Sequence, residues 1–238
     1  MRIRAISLDL DDTLWPIEPV MQRAEARLHA WLWQHCPRAA LAHPPPALRA
    51  LREQVGRDHP ELAHDFTALR LRSLREALLP LGYDERHVAG AFAAFYAARN
   101  EVTCYPDALP ALRRLAARFP LVSVSNGNAD LERIGLAGYF RASFSARELG
   151  VGKPAAPIFH AACARLGLAP AEVLHVGDDP ALDVAGARAA GLRSAWVNRG
   201  GAPWAHGHVP DLAVRDLREL ADLLEAGVVN ATPASALA

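Results

Sequence analysis

Carboxylates follow two apolar segments of this chain directly. Asp9 and Asp11 come just after the run Ile3–Leu8, and Asp178 comes just after Glu172–Val176. Two carboxylates spaced as closely as Asp9 and Asp11 repel each other, so a cation is needed to keep both ionised. Mg²⁺ prefers a few carboxylates together with phosphate oxygens. The same pair suits covalent phosphoryl transfer, in which one carboxylate attacks phosphorus and the other protonates the leaving oxygen.

A purely structural role is the alternative for these carboxylates. Aspartate is common in turns and at helix N-termini, so the stretch Asp9–Thr13 could be an acidic turn after a strand. Asp179 and Pro180 fit the N-cap and the first position of a helix. Capping by Asp179 is compatible with metal binding by Asp178.

Three further positions could bind a phosphoryl group or balance its charge. Ser125, Asn126 and Gly127 end another apolar run, where a hydroxyl and exposed N–H groups could hold phosphoryl oxygens; an ordinary turn is the alternative. Lys153 lies in a short Gly-Lys-Pro loop and could supply positive charge, although most lone lysines are solvated. Asp183 could orient Lys153 or a metal-bound water.

The positions of these residues fit a parallel α/β sheet, whose ligands bind beyond the carboxyl ends of the strands. We predict a Rossmann-like parallel sheet with helices on both faces plus an inserted all-helical cap domain. The predicted strands are Ile3–Leu8, Pro120–Val124, Glu172–Val176 and Ser194–Val197. The predicted helices between them are Ala108–Arg118, Ala156–Leu166 and Pro180–Ala190.

The segment from Pro16 to Cys104 contains no convincing strand. We therefore predict an α/β core domain of residues 1–15 and 105–226, and a helical cap domain of residues 16–104 that closes as a lid over the crevice. Residues 227–238 are expected to be a disordered tail. Helical periodicity in the cap is found in Glu18–Trp33, Pro46–Val55, Glu61–Leu79 and Glu85–Arg99.

Composition restricts the partners and the compartment. Lys and Arg together number 26, as do Asp and Glu, so bulk electrostatics favour neither nucleic acid nor an acidic membrane. The 3 cysteines have no short spacing and predict neither a zinc site nor a disulfide framework. No signal peptide or membrane-spanning segment is predicted. We expect a cytoplasmic monomer or homodimer whose partner is a small phosphorylated metabolite.

The combination of motifs resembles the haloacid dehalogenase-like hydrolase superfamily, over nearly the whole chain from Ile3 to about Leu224. The four motifs of that family occur in order, as Asp9-Leu10-Asp11-Asp12-Thr13, Ser125-Asn126, Lys153-Pro154, and Gly177-Asp178 with Asp183. The helical insert lies where the family places its first type of cap.

The resemblance implies a role for each matched residue. Asp9 would be the nucleophile and a Mg²⁺ ligand, and Asp11 the general acid and base, with its backbone carbonyl on the metal. Ser125 would bind the phosphoryl group and Lys153 would balance charge. Asp178 would be a metal ligand. The residues expected to support this site are Asp183, Asp179 and Thr13.

Asp11 favours the phosphatase branch of that family. The dehalogenase branch lacks an aspartate at this position, because a departing halide needs no proton whereas a departing alkoxide does. The phosphonate-cleaving branch needs a cap lysine, and residues 16–104 contain none. A 2-haloacid dehalogenase and a non-catalytic binding protein on the same scaffold are the alternative functions.

A narrower resemblance concerns the substrate. The runs His59–Thr67, Ser125–Ala129 and His175–Asp179 look like those of bacterial flavin mononucleotide (FMN) phosphatases, which are similar to enzymes that dephosphorylate the ribityl-aminouracil precursor of riboflavin. Asp65, Arg72 and Trp15 could then contact a polar, ring-bearing leaving group. The alternative is that Arg72 lies on a solvated helix face and that Trp15 packs under the cap.

Overall fold

A computed structural model describes residues 3–207 and 209–227; residues 228–238 of the tail expected to be disordered lie outside the described residues. The chain divides into two compact units. The first comprises Met1–Pro16, Thr103–Gly127 and Gly135–Ala238. The second comprises Ile17–Val102 and Asn128–Ile134.

Six strands and eleven helices lie in the described residues. The strands are β1 Ala5–Leu8, β2 Leu121–Ser125, β3 Ala142–Ser145, β4 Val173–Gly177, β5 Arg193–Val197 and β6 Leu212–Val214. The helices are α1 Ile17–His35, α2 Pro37–Ala42, α3 Pro45–Asp58, α4 Phe66–Leu78, α5 Glu85–Arg99, α6 Ala108–Ala116, α7 Leu131–Ile134, α8 Ala146–Leu149, α9 Ala156–Leu166, α10 Gly186–Ala189 and α11 Leu217–Glu225. None of the described helices is both long and apolar enough to cross a membrane.

The first unit is built on one parallel sheet with the strand order β3-β2-β1-β4-β5-β6. This is the order of a Rossmann-like fold, and it confirms the predicted fold class. Side chains alternate between the two faces of a strand, and Ala5 and Ile6 of β1 are both fully buried. The central strand is therefore covered on both faces, as expected for a parallel sheet with helices on either side.

Two strands were not predicted, and both lack a clear apolar run. β3 has the sequence Ala-Ser-Phe-Ser, and none of its residues is fully buried. β6 contains only three residues, with the middle one exposed. Each pairs with a longer neighbour, β2 or β5. Pairing with a strand already in place stabilises these short segments, and the sequence pattern does not show that pairing.

Two predicted helices begin or continue differently from the prediction. The predicted helix Glu61–Leu79 begins only at Phe66, because the side chain of Asp65 accepts a hydrogen bond from the N–H of Ala68 and caps α4. The predicted helix Pro180–Ala190 consists of a π-helical turn, Pro180–Ala185, followed by α10. Turns of this kind occur often at functional sites.

The second unit is helical and has its own apolar core. Buried leucine, alanine and phenylalanine side chains from α1, α4 and α5 pack together, among them Leu28, Leu78 and Phe95. A buried Arg70 donates to Glu25 at 2.9 Å and lies over the Phe95 ring at 3.6 Å. Burial of this guanidinium is tolerated because it keeps both a carboxylate partner and an aromatic face.

Two helical glycines of this unit predict opposite effects of the same substitution. A Cβ at Gly56 in α3 would meet no heavy atom within 4 Å, whereas a Cβ at Gly90 in α5 would lie 2.4 Å from Trp31 Cζ2. Gly56→Ala should raise the free energy of unfolding by about 0.5–1 kcal/mol through helix propensity. Gly90→Ala should lower it by about 1–3 kcal/mol through overpacking. Urea unfolding of both variants tests this pair, and changes of the same sign would contradict the packing described for α5.

Candidate active site

The central strands of the sheet bring distant carboxylates together. Asp9 follows β1, and its N–H donates to the carbonyl oxygen of Val176 in β4 at 2.9 Å. Asp178 follows β4, so both residues lie just past the carboxyl ends of adjacent parallel strands. From β1 the chain continues to β2 and β3 on one side, and it then crosses to β4 on the other side of β1. Crevices that bind ligands form where the strand order reverses in this way.

Lys153, the only lysine of the chain, lies between two of these carboxylates. Its ammonium is 2.5 Å from Asp9 Oδ1 and 2.6 Å from Asp183 Oδ1, and its side chain is 3% exposed. Burial disfavours the ammonium, but the two carboxylates outweigh burial and raise the pKa of Lys153 above its ordinary value. Lys153 is therefore a charged residue of the site and not a solvated surface lysine.

Asn126 holds the lysine loop in place. Its Oδ1 accepts from the Lys153 N–H at 2.7 Å, and its Nδ2 donates to the Lys153 carbonyl at 2.9 Å. A Cβ at Gly152 would lie 2.5 Å from Asn126 Oδ1, so this close approach requires glycine. Both polar atoms of the Asn126 side chain are thus engaged by the backbone of Lys153, and substrate binding by Asn126 stays a prediction.

Ser125 and Gly127 form a small turn at the end of β2. The Gly127 N–H donates to Ser125 Oγ at 3.0 Å, and Ser125 is buried. A serine hydroxyl that accepts one hydrogen bond can still donate its own hydrogen. The turn and the predicted phosphoryl binding by Ser125 are therefore compatible, and the binding role stays a prediction.

Asp178 is held by contacts on its side chain and its backbone. Thr13 Oγ1 donates to Asp178 Oδ1 at 3.0 Å, and Trp196 Nε1 donates to the Asp178 carbonyl at 2.8 Å. Burial, with a further contribution from Asp183, raises the pKa of Asp178 to about 7, against the hydrogen bond from Thr13. The Asp178 carboxylate thus lacks a sufficient positive partner, which a cation would supply.

Asp183 orients Lys153 from a fully enclosed position. Its Oδ1 also lies 3.0 Å from His175 Nε2, and its Oδ2 accepts from the Asp179 N–H at 3.0 Å. Burial alone would raise the pKa of Asp183, but Lys153 and the hydrogen bond with His175 outweigh burial and hold it well below its ordinary value. A Cβ at Gly177 would lie 2.2 Å from Asp183 Cγ, so this packing also requires glycine.

His175 also belongs to this network, as a core residue with a partner at each ring nitrogen. It is fully buried in β4, and its Nδ1 lies 2.8 Å from Ser7 Oγ while Nε2 reaches Asp183. Burial lowers the pKa of His175, against its contact with Asp183. A histidine inside an otherwise apolar strand was the one signal in the sequence that could have indicated a buried polar contact.

Asp179 caps the turn that carries Asp183. Its Oδ1 accepts from the N–H groups of Ala181 and Leu182 at 2.7 and 2.8 Å. The capping role considered from the sequence therefore describes Asp179, whose backbone N–H at the same time fixes Asp183.

Trp15 and Arg72, two of the residues predicted to contact a leaving group, lie in different environments. Trp15 is 0% exposed, and its Nε1 donates to Asp11 Oδ1 at 2.8 Å. Arg72 has an exposed side chain that pairs with Glu76 at 3.3 Å on the same helix. The indole has no accessible surface and the guanidinium lies on a solvated helix face, and a contact of either side chain with a leaving group stays a prediction.

The donor set fits a hard divalent cation. Asp9, Asp178 and Asp183 each offer a carboxylate oxygen, and these oxygens lie within 4.8 Å of one another. Only Asp9 and Asp183 contact the Lys153 ammonium, and burial together with Asp183 raises the pKa of Asp9 well above its ordinary value, against Lys153. Oxygen donors without cysteine or a coordinating imidazole suit Mg²⁺. The oxygens of Asp183 already accept three hydrogen bonds, so Asp183 fits a supporting role.

Comparison with known proteins agrees with this geometry. Residues 3–191 match the family model of the haloacid dehalogenase-like hydrolases. The chain belongs to this family. Membership of this family identifies the chain as a hydrolase, and the predicted family resemblance is confirmed.

Named relatives include phosphatases and a dehalogenase. The 5-amino-6-(5-phospho-D-ribitylamino)uracil phosphatase YigB of Escherichia coli is 36% identical over 200 residues, which cover 82% of this chain and 84% of that protein. A phosphoserine phosphatase of Thermus thermophilus is 35% identical over 246 residues, covering 92% of this chain and 98% of that protein. A crystal structure of a 2-haloacid dehalogenase from Pseudomonas syringae superposes with a TM-score of 0.89 at 36% identity, covering 94% of this chain and 99% of that one.

The raised pKa of Asp178 predicts how pH affects the stability of the metal-free protein. In the folded state the Asp178 carboxyl group has a pKa of about 7, against an ordinary value of 3.8. This stabilisation is therefore complete below about pH 4 and is lost as pH rises to about 7. Asp178→Asn mimics the protonated form. Between about pH 4 and pH 7, its free energy of unfolding should fall by about 2–4 kcal/mol less than that of the unaltered protein. Urea unfolding in EDTA at several pH values measures the difference.

Buried His175 contributes in the opposite direction, because its pKa is lowered and the neutral ring is favoured as pH rises. Both proteins contain His175, so comparing them reports Asp178 together with its effect on the pKa of Asp9. Free energies of unfolding that change equally with pH in the two proteins would contradict the raised pKa of Asp178. Adding Mg²⁺ should stabilise the unaltered protein more at pH 7 than at pH 5 and should stabilise Asp178→Asn less at both.

Proposed function

We propose that this protein is a Mg²⁺-dependent phosphomonoester hydrolase that acts on a small phosphorylated metabolite through an aspartyl-phosphate on Asp9. The observation that carries the proposal is the pair Asp9 and Asp11 at the end of β1. Asp9 is buried against the ammonium of Lys153, whereas Asp11 is partly exposed and is held by a neutral donor. Two carboxylates in such different environments are suited to different roles, one as nucleophile and one as general acid.

The first step transfers the phosphoryl group to the protein. A carboxylate oxygen of Asp9 attacks phosphorus in line, so that an oxygen–phosphorus bond forms while the ester bond to the leaving group breaks. Asp11 gives its proton to the leaving oxygen, which departs as an alcohol. Lys153 balances charge on Asp9, and Ser125 is placed to donate to a phosphoryl oxygen.

The second step returns Asp9 to its initial state. Asp11, now ionised, takes a proton from water as that water attacks phosphorus, and the bond between phosphorus and Asp9 breaks. The products are an alcohol and inorganic phosphate. Asp9, Asp178 and the backbone carbonyl of Asp11 would hold Mg²⁺, which when bound offsets the charge of the carboxylates and the phosphoryl group.

A 2-haloacid dehalogenase is the second candidate, because the structure that overlaps with a TM-score of 0.89 carries that name. Halide departs without a proton, so that reaction gives no role to a carboxyl group at position 11. The hydrogen-bonded carboxyl group of Asp11 therefore favours ester hydrolysis. A non-catalytic binding protein would have no use for the Lys153–Asp9 pair, which lies buried at 2.5 Å.

The relatives, rather than the site, support the proposed substrate class. The named function of the Escherichia coli relative supports a ribityl phosphate, such as FMN or the ribitylamino-uracil phosphate, as the first substrates to test. A cytoplasmic location, the state of monomer or homodimer and the lid role of the helical residues stay predictions from the sequence.

The proposed function predicts that Asp9→Asn abolishes phosphate release. We expect kcat to fall by about 1,000-fold or more, because the variant lacks the nucleophile. Release of inorganic phosphate from 4-nitrophenyl phosphate and from FMN, with Mg²⁺ and with EDTA, measures this effect. Asp222→Asn is the matched control, because Asp222 is an exposed carboxylate of α11 paired with Arg114, and it should keep full activity.

Two results would count against the proposal. Hydrolysis that survives in Asp9→Asn would show that another residue attacks phosphorus. Chloride release from a 2-chloropropionate in EDTA, with no phosphate release from any ester, would favour the dehalogenase instead.

A further inference from the structure

The indole of Trp15 donates a hydrogen bond to Asp11, the proposed general acid. Its ring is 0% exposed, and its Nε1 lies 2.8 Å from Asp11 Oδ1. An indole N–H donates and cannot accept. The oxygen that it contacts must therefore act as an acceptor.

The loop that carries both residues is closed by its own backbone. The Asp12 N–H donates to the Trp15 carbonyl at 2.7 Å, and the Leu14 N–H donates to the Leu10 carbonyl at 2.8 Å. Asp12 adopts a φ of 60°, a left-handed conformation that aspartate tolerates better than most residues and that tightens the loop. The indole and the carboxyl group are thus placed against each other within one short segment of the first unit.

Contacts from elsewhere in the same unit hold this loop in position. The Leu14 carbonyl accepts from the Tyr105 N–H at 2.9 Å. The Thr13 carbonyl accepts from Arg199 Nη2 at 2.9 Å, and Arg199 is itself paired with Asp107. The backbone that carries Trp15 is therefore held by hydrogen bonds, which fix the position of its indole N–H.

We propose that Trp15 is a positioning residue for Asp11 in the phosphatase reaction, an inference that rests on the proposed function. The indole N–H donates to Oδ1 of Asp11 and restricts the rotation of that carboxyl group. A general acid must lie within hydrogen-bond reach of the leaving oxygen. A contact that restricts the orientation of the carboxyl group therefore favours proton transfer to that oxygen.

The inference predicts an effect that depends on the leaving group. A 4-nitrophenolate departs without much help from an acid, whereas phenolate and 4-methoxyphenolate need a proton more. In Trp15→Phe, kcat/KM should fall by less than about threefold for 4-nitrophenyl phosphate and by about tenfold or more for 4-methoxyphenyl phosphate. The plot of log kcat/KM against the pKa of the leaving phenol should therefore be steeper for the variant than for the unaltered protein.

A merely structural role of the indole would not change this slope. Loss of packing alone would lower kcat/KM by the same factor for every aryl phosphate. Trp33→Phe is the matched control, because it makes the same change at an indole of α1 that is 47% exposed. Its slope should equal that of the unaltered protein.

A double-mutant comparison tests whether Trp15 acts through Asp11. Asp11→Asn should give the steepest slope, and adding Trp15→Phe to it should leave the slope unchanged. If Trp15→Phe does not fold, 3-benzothienylalanine at position 15 replaces the N–H by sulfur in a ring of nearly the same shape and should give the same steeper slope.

The outcomes separate this inference from the function on which it rests. An unaltered protein that hydrolyses no aryl phosphate, or Asp9→Asn with full activity, would overturn the proposed function and this inference with it. An active protein whose Trp15 variants keep the original slope would overturn this inference alone.

Discussion

The ammonium of Lys153 between Asp9 and Asp183 is the interaction on which the rest of the site depends. Three buried or half-buried carboxylates lie within 4.8 Å of one another, and without a cation their mutual repulsion would not allow that arrangement. The compact ammonium lies 2.5 Å and 2.6 Å from two of them. Of the 26 Lys and Arg residues, all except Lys153 are arginine. The single lysine lies where a compact point charge fits between two carboxylates.

Several other features serve to keep that ammonium in place. Asn126 binds both backbone groups of Lys153 through its amide, and glycine at position 152 allows the approach. Glycine at position 177 leaves room for Asp183, which His175 and the N–H of Asp179 hold from the other side. With Asp9, these residues come from four separate stretches of sequence. They meet because β1, β2 and β4 are neighbours in one parallel sheet.

The sequence predicts those parts of the site that are written in local patterns. Asp9 and Asp178 were predictable because each follows an apolar run, and the parallel sheet then places both at one edge. The contacts of Asn126 and Trp15 were not predictable in this way. Asn126 binds the backbone of residue 153 and Trp15 binds a nearby carboxylate, and neither contact leaves a periodic signal in the sequence. β3 and β6 were missed for a related reason, since their stability depends on strands already formed beside them.

The most direct test of the account is to find where the phosphoryl group is attached during turnover. The protein would be mixed with an aryl phosphate and Mg²⁺, quenched in acid, digested with pepsin under acidic conditions and sequenced by tandem mass spectrometry. The account predicts a phosphoryl group on Asp9 and on no other residue, absent when EDTA replaces Mg²⁺. Turnover with the phosphoryl group attached to a different residue would contradict it.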